Sequence, residues 1–390
     1  MTEVALLAEA LDPARGGGAE RAIRATARAL ARAGARVLLY APADRLGPPL
    51  AGVELAGVEL ASRSRAGRAR EVSLELSRRA RSDAPRATLV ALGKILGADL
   101  VWSHGGVHAA SRRASAQAGR SRAGGLLARA ARALRPVESV FDSIERANAE
   151  SAARGELRIV ALSERVRRDL ADFHGCDPSQ VPIVRNGIDL SRFDLSPEER
   201  SRAREELGRL AKKAPGESVA AFVGHAFFLK GLDRAIRSLG HVKRSKLVVF
   251  GRGDARPFLE LARALGVPDR VFFPGDTTDL DRLLAGADLL VHPSRYDPCS
   301  LVVLEALAAG VPVVASRADG SSEIVGKEAG FVLENPDDPR ELASRIDELA
   351  SRGEASLRGA RASARSIEAC AHELLEIVAS RPRERVKAGP

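Results

Sequence analysis

Three features of the sequence predict an α/β protein made of two parallel-sheet domains. Short apolar runs alternate with helix-like stretches along most of the chain, which is the pattern of strands joined by crossover helices. The pattern starts afresh near residue 218, after a charged, Pro-containing stretch at 190–215. One stretch, 289–315, spells out a whole strand–loop–helix–strand unit. A chain of 390 residues is long enough for two hydrophobic cores.

That unit comes first because it gathers chemistry. Leu289 to Val291 reads as a buried strand ended by His292-Pro293. A loop with Asp297 and the stiffening Pro298 follows. Ser300 can cap a helix running to about Ala309, with Gly310 as its stop and Pro312 just beyond. Val311 to Ala315 is the next strand. In such sheets the ligand crevice lies beyond the strand ends. The amides of Ser300, Leu301 and Val302 open the helix, where the macrodipole favours an anion. Asp297 precedes them, and Glu305 lies about a turn and a half into the helix. Two carboxylates beside an anion site are unfavourable unless they accept hydrogen bonds from neutral donors, such as sugar hydroxyls. On pattern alone, an amphipathic core helix with one solvated Glu fits equally well.

In the first half, Val4 to Leu7 reads as a strand, followed by Arg15-Gly-Gly-Gly-Ala-Glu-Arg21 and an alanine-rich helix to Ala33. Gly34 stops it, and Arg36 to Tyr40 is the second strand. A glycine loop between strand and helix suits close approach to phosphate, although Gly16 to Gly18 also fit a flexible turn. There is no Gly-x-Gly-x-x-Gly fingerprint and no acid after the second strand, so NAD binding is disfavoured. Residues 42–95 are turn-rich and Arg/Ser-rich, with few distinctive features. Asp99 to Ser103 is a strand running into the loop His104-Gly-Gly-Val-His108. His104 and His108 lack a Glu or Cys neighbour in the sequence, which disfavours metal. Residues 112–135 carry seven Arg and no acid. At about 100° per residue, Leu126, Leu127, Ala130, Ala131 and Leu134 share one arc, with Arg129, Arg132 and Arg135 opposite. A solvated helix face is the plain reading, and contact with an anionic acceptor or membrane surface is the functional one. Leu157 to Leu162 is a strand with Ser163 as the following N-cap.

In the second half, Ser218 to Val223 is a strand that ends at Gly224-His-Ala-Phe-Phe-Leu-Lys-Gly231, before a helix. Lys246 to Phe250, Gly251-Arg-Gly253 and Arg270 to Gly275 continue the series, with the loop Asp276-Thr-Thr-Asp279 after them. The stretch Ala315 to Glu323 closes the sheet side of the crevice, and a last helical stretch covers roughly 355–380.

Residues 289–315, the Gly-Gly-Ala-Glu-Arg opening and Asn186-Gly-Ile-Asp189 together resemble the retaining family 4 glycosyltransferases of the GT-B fold. That resemblance spans nearly the whole chain and implies two facing Rossmann-like domains with parallel sheets. It implies domains at 1–190 for the acceptor and 191–365 for the nucleotide-sugar, with 366–390 crossing back to the first. By the same resemblance Asp297, Lys230 and His104 are catalytic. Gly17, Gly18, Gly224, His225, Lys230, Asp297, Cys299, Ser300, Leu301, Val302 and Glu305 would bind the donor, Glu305 through its ribose. His108 is the second choice for the sugar-facing histidine. Asp297 stands where Glu is usual and Ser300 where Gly is commoner. His225 or Phe228 occupies the place of an expected Arg, leaving Lys230 to clamp the diphosphate. The His-Gly-Gly loop, Phe-x-x-Lys-Gly and Tyr296-Asp-Pro-Cys-Ser-Leu301 look most like lipopolysaccharide-core glucosyltransferases.

The resemblance thus implies a retaining hexosyltransferase, moving glucose from a UDP-linked donor to a glycan, glycolipid or lipopolysaccharide-core-like acceptor. The alternatives are a GDP-mannose-dependent phospholipid mannosyltransferase and a non-catalytic nucleotide-sugar-binding protein. No cofactor or metal is expected, the nucleotide-sugar being a substrate, and no nucleic acid is expected as a partner.

Composition agrees with a globular protein: 45% hydrophobic and 29% charged residues. No window reaches 18 apolar residues without a charge, since the best, Leu301 to Ala315, contains Glu305. The N-terminus lacks the basic flank of a signal peptide, and Cys176, Cys299 and Cys370 are isolated. A cytoplasmic location, peripheral on the inner membrane face, is the expectation. Net charge is +10, and residues 1–190 hold 30 Lys+Arg against 21 Asp+Glu, so nearly all the excess lies in the first half. Since 53 of the 61 basic residues are Arg, a genome-wide composition bias is the competing explanation.

Overall fold

The computed structural model describes residues 2–12, 17–118, 136–352 and 359–380. Two six-stranded sheets, parallel throughout, form the frame. The first contains β1 (Glu3–Leu7), β2 (Arg36–Pro42), β3 (Val53–Val58), β4 (Thr88–Ala91), β5 (Leu100–Trp102) and β6 (Arg158–Val160), in the order β3-β2-β1-β4-β5-β6. The second contains β7 (Ser218–Val223), β8 (Ser245–Phe250), β9 (Val271–Gly275), β10 (Leu289–His292), β11 (Val313–Ser316) and β12 (Gly330–Leu333), in the order β12-β11-β10-β7-β8-β9. Each order reverses once, between β1 and β4 and between β10 and β7. A crevice opens at such a switch point. The Gly17-Gly18 loop leaves β1, the 224–231 loop leaves β7 and the 293–300 loop leaves β10, so all three sit at the switch crevices.

The central strands are fully buried: Val4 to Leu7 and Leu289 to Val291 are 0% exposed. Buried on both faces, they read as continuous apolar runs rather than alternating ones. This is why the sequence located them. The featureless region 42–95 in fact holds β3, the helix Arg65–Asp83 and β4. β3 is an edge strand, half-exposed and interrupted by Gly57, so it shows no clean alternation. The helix buries Val72, Leu76 and Ala80 at four-residue spacing, but buried Ser73 and Ser77 dilute the stripe.

Several connections tie the halves together. The helix Pro197–Leu210, which follows the linker's start, packs within the second domain against the helix Leu280–Ala285. The last helix, Ile367–Ala379, packs on Gly18–Arg32 of the first domain, with Arg32 and Glu368 paired at 2.7 Å. Across the cleft, the Val107 amide donates to Tyr296 Oη at 3.0 Å, and Ser163 Oγ donates to the Pro298 carbonyl at 2.8 Å. The Glu323 carboxylate accepts the amides of Glu164 and Arg165 at 3.0 and 2.9 Å, capping a first-domain helix from the second domain. Among the described residues no helix is long and apolar enough to cross a membrane. Arg129, Arg132 and Arg135, with the arc proposed for them, lie outside the described residues.

Candidate active site

The helix Leu301–Ala308 runs from the loop after β10, with Ser300 in extended conformation at its start and Gly310 at positive φ after its end. The Val311 amide closes back onto the Ala306 carbonyl at 2.7 Å, so β11 starts only at Val313 rather than at Val311. Leu301 and Val302 lie in the first turn, where no intrahelical carbonyl reaches their amides. The Ser300 amide is not free as the sequence suggested: it donates to Asp319 Oδ1 at 3.2 Å. Asp319 comes from the turn after β11, which lies beside the 297 loop through a parallel bridge between Asp297 and Asp319.

Asp297 is buried and ion-paired with the Lys230 ammonium. Lys230 is aimed there by its loop. Gly231 adopts φ +81°, a conformation L side chains avoid, and a Cβ there would collide with the Pro293 carbonyl. Arg295 fastens the same loop, donating to the Phe228 carbonyl at 2.6 Å and to both Asp233 oxygens at 2.7 and 2.8 Å. Burial alone would push the Asp297 carboxyl up, but the Lys230 ammonium and His292 outweigh it and hold the group well below the usual carboxylate range. Burial likewise pushes Lys230 down, and the Asp297 charge more than reverses this. Both stay ionised at neutral pH.

His292 completes the cluster. Its Nε2 lies 3.4 Å from Asp297 Oδ2 and 3.5 Å from Asp319 Oδ2, and neither ring nitrogen makes a hydrogen bond with described residues. Asp319 Oδ1 also accepts from Ser321 N and Oγ at 2.8 and 2.6 Å, while Oδ2 has no hydrogen-bond partner among the described residues. Burial, then the neighbouring Asp297 charge, pushes the Asp319 carboxyl up to about 6.

Glu305 faces the other side of the helix start and is 4% exposed. Arg192 Nη2 lies at 3.4 Å and Arg21 Nη2 at 3.8 Å, and Arg192 is itself held by Asp281 at 2.7 Å. Burial pushes Glu305 up, and the two guanidiniums offset only part of this. The sequence pointed to neutral donors for both carboxylates, and the chain itself adds a cation beside each. Each meets a cation of the chain, Lys230 for Asp297 and the two arginines for Glu305, because a buried charge is costly unless paired.

The first domain supplies the opposite wall. Gly18 lies so close to the helix start that a Cβ there would stand 2.9 Å from Leu301 Cδ1, and one on Gly17 would be 3.9 Å from the His225 ring. Glu20 reaches back to the Gly17 amide at 2.7 Å and fixes the turn. His225 is exposed, its Nδ1 accepting the Arg252 amide at 3.0 Å, and Gly224 precedes it beside Lys230. Phe228, the other candidate for the missing Arg, is 42% exposed and lies tilted against Phe258, ring centroids 4.6 Å apart. His104 is buried edge-on against Trp102, its ring centroid 4.2 Å away, and its Nε2 has no partner among the described residues. Burial pushes its pKa down to about 4, so the ring is neutral. His108 instead turns away to Glu138, 2.6 Å from its Nε2. That partner comes from the helix Pro136–Ala153, which sequence proximity could not supply.

The predicted residues from both halves thus line one crevice: Gly17 and Gly18 opposite His225 and Leu301, Asp297 with Lys230, Ser300 to Val302 at the helix start, Glu305 behind them. Cys299 is buried beside Asp319 and Asp297, and burial pushes its thiol far up, leaving it inert. The sequence missed Asp319, His292 and Arg192. Arg21 stood within the Gly-Gly-Ala-Glu-Arg opening and was the most visible of the four additional residues.

Two doubly wound sheets facing each other across a cleft, each with its switch-point loops turned inward, constitute the GT-B architecture. Two family models match in succession: Glycosyltransferase Family 4 over residues 16–192 and Glycosyl transferases group 1 over residues 204–365. The chain belongs to the family 4 glycosyltransferases of the GT-B fold. An uncharacterized glycosyltransferase of Methanocaldococcus jannaschii is 33% identical over 204 residues, 50% of this chain and 51% of its own length. A D-inositol 3-phosphate glycosyltransferase of Salinispora tropica is 37% identical over 229 residues, 54% of this chain and 47% of its own. The chain therefore spans about half the length of these relatives. Among solved structures, WaaG, a glycosyltransferase involved in lipopolysaccharide biosynthesis, superposes with a TM-score of 0.75 at 22% identity, over 98% of this chain and 100% of its own. Anabaena HepE, solved with UDP and glucose, gives 0.66 at 17% identity over 98% and 100%. At these identities the structural likeness speaks for the fold alone.

Proposed function

We propose that this chain transfers a hexose, glucose from a UDP-linked donor, to an anionic acceptor, with retention at the anomeric carbon. The observation that carries the reading is the Lys230–Asp297 pair beside the start of the helix Leu301–Ala308, with the Gly17-Gly18 loop facing it. A diphosphate at the Leu301 and Val302 amides meets the macrodipole, and Lys230 turns from Asp297 towards it. Asp297 then serves the sugar hydroxyls and Glu305 the ribose. Lys230 and the amides supply the counter-charge that a metal supplies elsewhere, so transfer proceeds without one. His104, neutral and with Nε2 unpartnered, is suited to a neutral hydroxyl rather than a charged group.

In the transfer, the bond from the anomeric carbon to the diphosphate oxygen breaks, and one to the acceptor oxygen forms on the same face. The acceptor's proton passes to the departing diphosphate. Asp297 is assigned to the sugar hydroxyls and keeps His292 Nε2 at 3.4 Å, which leaves no carboxylate assigned to attack the anomeric carbon and favours this same-face course over a covalent intermediate. HepE was solved with UDP and glucose, and the Salinispora tropica relative is a D-inositol 3-phosphate glycosyltransferase, which supports a nucleotide-sugar donor and an anionic acceptor. A glycolipid or lipopolysaccharide-core acceptor is the membrane-borne form of the same chemistry, with the protein peripheral on the inner leaflet.

The test incubates the purified chain with labelled UDP-glucose, and separately with GDP-mannose, plus inositol phosphate or lipopolysaccharide-core acceptors. Transfer or slow donor hydrolysis from UDP-glucose, lost in Lys230→Ala, is the expected result. Turnover of GDP-mannose alone would replace the donor assignment. Tight binding without turnover of either would make the protein a non-catalytic nucleotide-sugar binder.

A further inference from the structure

The buried group that the transfer reaction leaves unused is Asp319. It is 0% exposed, and one oxygen is consumed by the Ser300 amide and by Ser321. Its other oxygen points back into the cluster, with no hydrogen bond and with His292 Nε2 at 3.5 Å. The charged and titratable groups facing it are Asp297 and His292 from β10 and its loop, Lys230 from the loop after β7, and the Cys299 thiol. Lys230 is the one firm cation in this set, and it is paired with Asp297. A second carboxylate therefore stands at the helix start without a cation of its own.

We infer that Asp319 makes donor binding proton-linked, its carboxylate taking up a proton when a nucleotide diphosphate arrives at the start of the helix Leu301–Ala308. This rests on the reading of that helix start as the diphosphate site. Two physical steps lead to it. A diphosphate brings negative charge next to a buried carboxylate, and like charges in a shared site raise the affinity for a proton. The diphosphate also draws Lys230 away from Asp297, so Asp297 and Asp319 lose the cation between them, and two carboxylates this close cannot both remain ionised at little cost. Asp319 is the one to protonate, because Asp297 goes on to accept from the sugar hydroxyls, whereas Asp319 Oδ2 has no donor among the described residues and burial already pushes this carboxyl up. Protonated, its Oδ2 can donate to Asp297 or to His292, which repairs the one unsatisfied oxygen. Asp319 thereby sets donor affinity as a positioning residue, through Asp297 and the helix start, without touching the sugar.

The linkage has a sign. Wherever the bound state holds more protons than the free state, affinity falls as pH rises. Donor affinity should thus weaken above pH 6 by up to about tenfold per pH unit until the bound-state value is passed.

The experiment is calorimetric titration with UDP-glucose and, separately, GDP-mannose, at pH 7 in two buffers of different ionisation enthalpy. The diphosphate diester of a nucleotide-sugar does not itself titrate between pH 5 and 9, so proton uptake reports on the protein. Uptake of about half a proton or more per bound donor is expected for wild type, with a dissociation constant roughly three- to tenfold larger at pH 8 than at pH 6. Asp319→Asn, which keeps the acceptor for Ser300 and Ser321, should bind with little uptake and a flat pH profile, while His225→Gln should keep the uptake. Binding by wild type without proton uptake overturns the inference whatever the variants do. Uptake that persists in Asp319→Asn overturns it too, and its loss in His225→Gln would then assign the proton to His225. Absence of any binding by either nucleotide-sugar removes the diphosphate site itself, and the inference falls with it.

Discussion

Lys230 and Asp297 hold each other's charge in a place where neither would be stable alone. Removing one member of such a buried pair strands the other, at a cost of about 3–5 kcal/mol. Lys230→Met should show this: Asp297 is left beside Asp319 with no ammonium between them. The sign follows from what holds Asp297 down. In wild type its folded value is depressed, so the pair contributes stability at neutral pH that is lost only in strong acid. In Lys230→Met that depression goes, burial raises the carboxyl instead, and the penalty disappears once the group is protonated. Thermal unfolding should therefore separate the variant from wild type widely at pH 7.5 and narrowly at pH 4.5. A gap independent of pH would mean that Lys230 contributes packing rather than charge. Donor binding should be lost at both pH values, since a neutral chain cannot clamp a diphosphate.

At the scale of the element, the helix Leu301–Ala308 carries two sites on one short cylinder. Its start faces the cluster of Asp297 and Asp319, and its second turn turns Glu305 to Arg21 and Arg192. On the proposed reading Glu305 is released to a ribose, and Arg192 then keeps Asp281 as a partner at 2.7 Å. Glu305→Gln should weaken UDP-glucose binding by about 1–3 kcal/mol, as for a charged hydrogen bond lost. Titration of the variant against wild type at pH 7 checks it, and equal affinities would move the ribose elsewhere. This helix and its flanking strands were legible from sequence because their signals are local: an apolar run, a serine at the N-cap position and a stop at Gly310, although the Ser300 side chain in fact caps no amide. Asp319 was not, since its bond to Ser300 spans 19 residues and depends on β11 lying beside β10. Arg192 was hidden in the same way, joined to Glu305 across 113 residues from the start of the linker. β3 and the helix Arg65–Asp83 escaped for a different reason, since edge exposure and buried serines blur the periods that mark burial.

At the scale of the molecule, charge and closure each lead to a measurable consequence. The first half carries nearly all the net charge, whereas a uniform Arg bias would burden both halves alike. Each basic side chain near an anionic leaflet contributes about 1 kcal/mol, screened over about 8 Å at physiological salt. The protein should bind vesicles containing anionic lipid and not neutral ones. Replacing Arg129, Arg132 and Arg135 with Gln should remove much of this binding and leave donor affinity intact. Equal retention of the triple variant on anionic vesicles would point to a soluble acceptor.

The two sheets never share a strand, so besides apolar packing the domains meet through a few polar contacts. Glu323 is the most telling of them. From the second domain it accepts two amides at the start of the helix Glu164–His174, and Arg185 donates to it at 2.8 Å. Those amides are orphans of the helix end, and the macrodipole there favours a carboxylate. Nearby, Ser163 reaches the Pro298 carbonyl and Tyr296 meets Val107, so the loop bearing Asp297 is braced against the first domain. Opening the cleft for a donor must break this seam, and closing it must remake it. In Glu323→Ala the two amides lose their acceptor and Arg185 loses its partner, which should cost about 1–3 kcal/mol of closure. Amide exchange should then accelerate at Glu164 and Arg165, with no matching change in the central strands β1 and β10. Donor association, needing only the open form, should be little affected, while dissociation should quicken and turnover fall. Unchanged exchange at Glu164 and Arg165 would show that Glu323 does not hold the domains together, and the brace would rest on Ser163 and Tyr296 alone.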